Sequence, residues 1–389
     1  MRGSARKIAV LLVVAMLAAS VAGCKSSTPE EPGIDSGKEL QTVKIGFAAP
    51  LTGDNAIYGQ GMQQAVLLAI EEANESEAVK DAGYQFEIQA QDDAGDPKQA
   101  VNAANVLVGD SDVVGIVGHF NSGCSIPAAP VYKDVDLAMV TVSSNPQLTS
   151  QGLSNVCRIV ANDNAQGSFA GDAAIRFGYK KVALIDDATP YGQGLAEEFK
   201  KAFTAGGGEI ISEERIQPKE MDFSALVTKI KPKAPDVVYY AGAHTEGALI
   251  TKQLKAGGVT VPVMGGEMIF TSEYVKIAGE SAANGDIATA LGLPLEQQPR
   301  GAEFKTRYEA KYNKAPEAYD SYAYDAAWIL INAVVSVGPD RAKVLEAART
   351  GTLSDGVTGT VAFDENGDNK TQVISIHKVT DGEWKQIQE

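Results

Sequence analysis

Residues 112–125 read DVVGIVGHFNSGCS. The first seven form a short, nearly continuous apolar run, the mark of a strand buried on both faces. Gly118 closes the run, and a polar segment then leads into a helix ending near Lys133. Working backward, Thr42 to Ala49 (TVKIGFAA) alternates like a strand, and Leu51 to Asp54 is a turn. Gly59 to Ala73 carries Met62, Ala65, Val66, Ala69 and Ile70 at helical spacing. A strand follows at Phe86 to Ala90, then a helix from Pro97, where proline suits the first turn. Strands alternating with helices imply βαβ units, a parallel sheet and right-handed crossovers.

The pattern is written twice. Lys181 to Asp186 is a strand, a helix starts at Tyr191, and Asp236 to Gly242 (DVVYYAG) is a second buried strand. Tyr58-Gly-Gln-Gly61 opens the first helix of the first half, and Tyr191-Gly-Gln-Gly194 opens that of the second. The DVVGIVG run follows the first echo as DVVYYAG follows the second. Two echoes in the same order predict an α/β protein of two Rossmann-like lobes with parallel central sheets. Such sheets bind ligands at strand C-termini, where helix N-termini offer free N–H groups to an anion. After Ala290 three helices are expected, Arg300 to Tyr312, Tyr319 to Val337 and Arg341 to Arg349. A terminal hairpin is expected from Thr358 to Phe363, a turn at Asn366-Gly367-Asp368, and Val373 to Val379.

The chain has 389 residues and a net charge of −16, from 34 basic and 50 acidic side chains. This argues against a nucleic-acid binder or a protein held on anionic lipid by its charge. Three cysteines exclude a disulfide scaffold, and three histidines argue against a histidine-built metal site. Arg2, Arg6 and Lys7 precede an apolar run from Ile8 to Ala19, the pattern of a secretory signal. Val21-Ala22-Gly23-Cys24 resembles a bacterial lipobox. That resemblance implies cleavage after residue 23 and a lipid on Cys24. Losing 23 residues and three cations takes the chain to 366 residues and a charge of −19. Lys25 to Glu39 is polar and rich in Pro, Gly and Ser, so residues 24–40 read as a lipidated cysteine and flexible tether.

Chemistry-bearing motifs are sparse. There is no Gly-x-Ser-x-Gly elbow and no phosphate loop, and Glu197 stands where a dinucleotide fingerprint needs its third glycine. No enzyme and no cofactor is expected. Asp92-Asp93 and Asp186-Asp187, at strand ends, read as turn and cap residues rather than acid/base pairs. Asn121, Ser122 and Ser125 could cap a helix or bind a carboxylate, and spacing does not decide between them. Thr141 to Pro146 is a similar polar turn after a buried strand, Leu137 to Val140.

These segments, with Asp92 to Ala100, Asn145 to Thr149, Asp187 to Gly194 and Ala278 to Ser281, resemble the branched-chain amino-acid binding proteins of ABC importers. The resemblance runs from Thr42 to the C-terminus. It implies a type I periplasmic binding protein, two lobes joined by a multi-strand hinge, working with a permease and chemically inert. It places the first lobe at residues 41–160 with 291–370, and the second at 161–290 with 371–389. It also implies a site. Ser122 and Ser144 would bind the ligand carboxylate, and the Val142 carbonyl would accept from the amine. Glu267 would pair with the ammonium, Tyr191 would face the cleft from the second lobe, and Tyr58 and Tyr319 would wall the side-chain pocket. Ala243 stands where an aromatic often closes that pocket, which implies a larger one. Gly95 and Asn121 occupy positions that hold a disulfide in some members. Cys124 and Cys157 remain, and buried free thiols are favoured over a bridge.

The expectation is an extracytoplasmic, lipid-anchored, monomeric binder of a small neutral amino acid such as Leu, Ile or Val. It would touch the membrane only through its lipid and deliver its ligand to ABC permease subunits. Its rivals are a binder of amides, urea or aromatic acids, and a sensory lipoprotein of the same fold.

Overall fold

The computed structural model describes residues 40–387. The signal segment, Cys24 and the tether through Glu39 lie outside the described residues. Among those described, no helix is long and apolar enough to cross a membrane.

The first sheet has five parallel strands, β1 (Gln41–Ala49), β2 (Tyr84–Asp92), β3 (Val113–Gly118), β4 (Ala138–Thr141) and β5 (Val156–Arg158), in the order β2-β1-β3-β4-β5. The second begins with β6 (Lys181–Asp186), β7 (Glu209–Arg215), β8 (Val237–Ala241), β9 (Val263–Gly265) and β10 (Ile287–Leu291), in the order β7-β6-β8-β9-β10. The two orders are the same, second-first-third-fourth-fifth, so the duplicated plan holds for topology as well as sequence. β3, β4 and β8 are wholly buried, as continuous apolar strands with helices on both faces should be.

Local chemistry sets the helix starts. Asp96 accepts from the N–H groups of Lys98 and Gln99, each at 2.9 Å, so the helix Pro97–Gly109 begins at its proline. Thr189 does the same for Gly192 at 3.0 Å, starting the helix Pro190–Ala205 one residue before Tyr191. The acidic pairs build turns. Asp92 accepts from Leu51, Thr52 and Ala94, and Asp187 from Thr189 and Ala243.

The helices Gly301–Tyr312, Asp320–Val337 and Arg341–Thr350 complete the first lobe. The first two pack on the helix Ala56–Glu75, and the last two lie against β3 and β4. The expected terminal hairpin does not form. β11 (Thr352–Gly356) pairs antiparallel with β12 (Gly359–Ala362), taking the partner that the hairpin needed. The turn at Asn366-Gly367-Asp368 exists, held by three N–H groups on Asp364 Oδ1. Arg158 and Ile159 then hold Asp368 and Asn369 at the lobe junction. Beyond it, β13 (Ile374–Thr380) pairs antiparallel with β10, and β14 (Glu383–Gln386) closes that edge of the second sheet. The chain thus changes sheets three times, after β5, after β10 and after β12. Three connections restrict the lobes to bending about a common line.

Candidate functional site

Every expected site residue lies just beyond the C-terminal end of a parallel strand or on a helix facing those ends. Ser122 follows β3, Val142 and Ser144 follow β4, Tyr191 follows β6, and Glu267 follows β9. Tyr58 and Tyr319 stand at the starts of first-lobe helices. All seven are buried.

Glu267 is the centre. Its Oε2 accepts from the Tyr191 hydroxyl at 2.8 Å and its Oε1 from the Tyr319 hydroxyl at 3.2 Å. Tyr191 belongs to the second lobe and Tyr319 to the first, so the carboxylate is held from both sides of the cleft. Gly266 makes this approach possible, because a Cβ there would lie 2.5 Å from Tyr191 Oη. Burial pushes the Glu267 carboxyl above its ordinary value, opposed by its hydrogen bonds from Tyr191 and Gln166.

Tyr58 also bridges the lobes. Its hydroxyl donates to the Met268 carbonyl at 3.4 Å, and its ring meets Tyr319 edge-on at 5.7 Å. Phe120 stacks on Tyr58 with centroids 5.0 Å apart, and His244 of the second lobe meets it edge-on at 5.8 Å. The expected enlargement at Ala243 is therefore bordered by the imidazole that follows it. His244 Nδ1 is buried without a hydrogen-bond partner among the described residues, and burial lowers its pKa.

The carboxylate side of the site is assembled in the first lobe. Ser122 is the first residue of the helix Ser122–Lys133, and its Oγ accepts from the Asn145 N–H at 3.3 Å. Capping by Asn121 does not occur, since its side chain makes no cap bond and its Oδ1 is unpartnered. Ser125 is spent on Ser143, at 2.6 Å between hydroxyls. Gly118 must be glycine. Its φ is +130° and a Cβ would run into the Ala48 carbonyl. His119 beyond it is fixed between Asp93 Oδ2 at 2.6 Å and the Tyr132 hydroxyl at 3.0 Å.

Sequence reasoning missed Asp163. It opens the helix Asp163–Arg176 after β5, its N–H donates to the Ser144 carbonyl at 2.9 Å, and its side chain is fully buried. Among the described residues neither carboxylate oxygen makes a hydrogen bond of good geometry, and the nearby Ser144 side chain favours its ionised form. Burial raises its pKa well above the ordinary range, and the charge of Glu267 adds to the rise. The signal was present, a polar Asn162-Asp163 start after a buried strand, like the turns after β3 and β4. Arg158, also missed, is buried below the same loop. Its guanidinium binds Asp368 Oδ1 at 2.7 Å, Thr149 Oγ1 at 2.9 Å and the Ser143 carbonyl.

Cys124 and Cys157 are buried and form no disulfide among the described residues. Gly95 and Asn121 do sit side by side, since a Cβ on Gly95 would lie 3.3 Å from Asn121 Oδ1. No cluster of three or more metal-ligating side chains occurs among the described residues.

Two like-ordered parallel sheets, three connections and a cleft lined at the strand ends define a two-lobed solute-capturing protein. The chain belongs to the periplasmic binding protein family, whose profile matches residues 42–383. It is 34% identical to Leu/Ile/Val-binding protein homolog 1 of Brucella abortus (strain 2308), over 91% of this chain and 95% of that one. It is 36% identical to the leucine-, isoleucine-, valine-, threonine- and alanine-binding protein of Pseudomonas aeruginosa, over 87% and 90%. Among solved structures, a leucine-binding protein from Thermotoga maritima superposes with a TM-score of 0.82, 29% identity, and coverage of 89% and 98%.

Proposed function

We propose that this protein captures a small neutral amino acid, of the Leu, Ile or Val type, between its lobes and hands it to an ABC permease. The observation that carries this reading is the buried Glu267 carboxylate, approached by tyrosines from both lobes. Among the described residues no cationic side chain bonds this carboxylate, and such a buried charge is a counter-charge for a ligand ammonium. Ser122, Ser144 and the N–H groups opening the helix Ser122–Lys133 receive the ligand carboxylate. The Val142 carbonyl accepts from the amine, and Tyr58 and Tyr319, with Phe120, wall the side chain. The names of the relatives support the same ligand class.

The lobes that close are residues 41–160 with 291–370 and 161–290 with 371–389. They swing about the three connections, and the closed form is what the permease reads. The ligand is bound and released unchanged. The protein works outside the cytoplasm as a monomer, tied to the membrane by a lipid on Cys24. Thermal-shift measurements on the chain from Lys25 onward, with each amino acid in turn, test the ligand class, since binding to the native state alone raises the melting temperature. A shift confined to amides, urea or aromatic acids contradicts it.

A further inference from the structure

The lobes also meet beside the residues expected to hold the ligand. Asn145 follows Ser144 in the turn after β4 and is buried. Its Oδ1 accepts from the Gln147 N–H at 2.8 Å, and its Nδ2 donates to the Pro190 carbonyl of the second lobe. Pro190 opens the helix that follows β6. A backbone N–H at one end and a carbonyl at the other fix which way the amide points. A carbonyl has two lone pairs, so Pro190 can accept this bond and still serve its own helix.

The repeated Tyr-Gly-Gln-Gly segment gains a physical reading at this contact. In the first lobe, a Cβ on Gly61 would run into the Asp320 carboxylate of the same lobe. In the second, a Cβ on Gly194 would lie 2.6 Å from Asn145 Nδ2, an atom of the other lobe. Gly194 sits inside the helix Pro190–Ala205, where alanine is the better helix former. Its bareness therefore serves the approach of Asn145 and not the helix. Beside it, a Cβ on Gly123 would lie 3.4 Å from Pro190 Cδ, so the first-lobe helix Ser122–Lys133 comes up to the same edge. The turn that carries Asn145 is also held by the ligand site, since Ser122 Oγ accepts from the Asn145 N–H at 3.3 Å.

We infer that Asn145 is the latch of the closed protein, a positioning residue that touches no ligand atom but holds the lobes together once a ligand is between them. Its bond to Pro190 and its fit against Gly194 exist only while the lobes touch. Release must break them, whereas capture by the open form does not involve them, so the latch acts on the dissociation rate. This rests on the lobe-closing reading given above.

The test uses the chain from Lys25 onward and radiolabelled L-leucine, with equilibrium dialysis for affinity and a chase of unlabelled leucine for the dissociation rate. Asn145→Ser leaves an acceptor for the Gln147 N–H and withdraws the reaching amide. Gly194→Ala removes no polar group and displaces the latch from the opposite lobe. Each should release leucine about threefold to tenfold faster, with an unchanged association rate. The ligand-free melting temperature of Gly194→Ala should be no lower than that of wild type. The double variant should release leucine no faster than Asn145→Ser, because both changes act on one contact. Unchanged dissociation rates, a loss carried by the association rate, or additive effects in the double variant overturn the latch and leave the amino-acid reading intact. Absence of binding by every amino acid overturns that reading, and the ligand-free protein then decides. Oxidation of the Asn145→Cys, Gly194→Cys pair should give a disulfide between positions 145 and 194, identified by mass spectrometry of its peptides. Failure of that bridge to form overturns the meeting of the lobes at this point.

Discussion

The hydroxyl of Tyr319, from the first lobe, donates to Glu267 of the second across 3.2 Å. The charge that receives a ligand ammonium therefore also ties the lobes together. Tyr319→Phe removes the tie and keeps the ring that packs on Tyr58 and Phe120. A hydrogen bond to a charged group contributes about 1.5–3 kcal/mol. Ligand affinity should fall about tenfold to a hundredfold, while the ligand-free melting temperature changes little. Small-angle scattering should show a larger open fraction at subsaturating ligand.

Arg158 should be the most sensitive buried charge outside the ligand contacts. It joins β5 to Asp368 on the third connection and holds the Ser143 carbonyl beside Ser144. Arg158→Ala strips Asp368 of its cation, leaving it only its bonds from Asn162 and Thr149, and leaves the Ser143 carbonyl without this donor, at a cost of about 3–5 kcal/mol. Denaturant unfolding should show that loss, and ligand affinity should drop with it because the β4 turn loosens.

Stability of the ligand-free protein should rise on mild acidification. Burial pushes Asp187, Asp286 and Asp325 up to about 6 and Asp320 up to about 7. Unfolded aspartates titrate near ~3.9, so between these values the native state binds protons that the unfolded state does not. Their contribution is present below the unfolded value and is lost as pH rises through the folded ones. His377, lowered to about 4 by burial, works the other way, as does His244. Four aspartates outweigh two histidines. Melting temperature should increase from about pH 7.5 to about pH 5, and a flat or falling profile would count against the burial described here.

Cys124 and Cys157 should be inert in the folded protein. Burial raises both thiols, Cys157 to about 12 and Cys124 beyond it, so neither offers thiolate at neutral pH. In the chain from Lys25 onward, a chromogenic disulfide reagent should titrate no thiol natively and two in denaturant. Fewer than two after unfolding without reductant would indicate a bridge.

The strands that carry the site were readable because a buried parallel strand leaves an uninterrupted apolar run, as in DVVGIVG and DVVYYAG, and because the paired echoes exposed the repeat. The C-terminal pairing was not readable. Period-two alternation at Gly359–Ala362 and Ile374–Thr380 marks strands but not partners, and the partners are set by Arg158 and Ile159 gripping the intervening turn. Glu267 was reached through family resemblance rather than spacing. Asp163 escaped because an acidic residue at a helix start reads as an ordinary first-turn charge, and only the folded surroundings show that its carboxyl is fully buried beside Glu267.

The most direct measurement is calorimetric titration of leucine, isoleucine and valine into wild type and Glu267→Gln. The variant keeps the shape of the side chain and removes the charge that would meet an ammonium. The account predicts saturable binding of at least one of the three by wild type and a loss of about 2–5 kcal/mol in the variant, about twentyfold or more in affinity. Equal affinity of wild type and Glu267→Gln for such a ligand, or binding of none of the three, would contradict it.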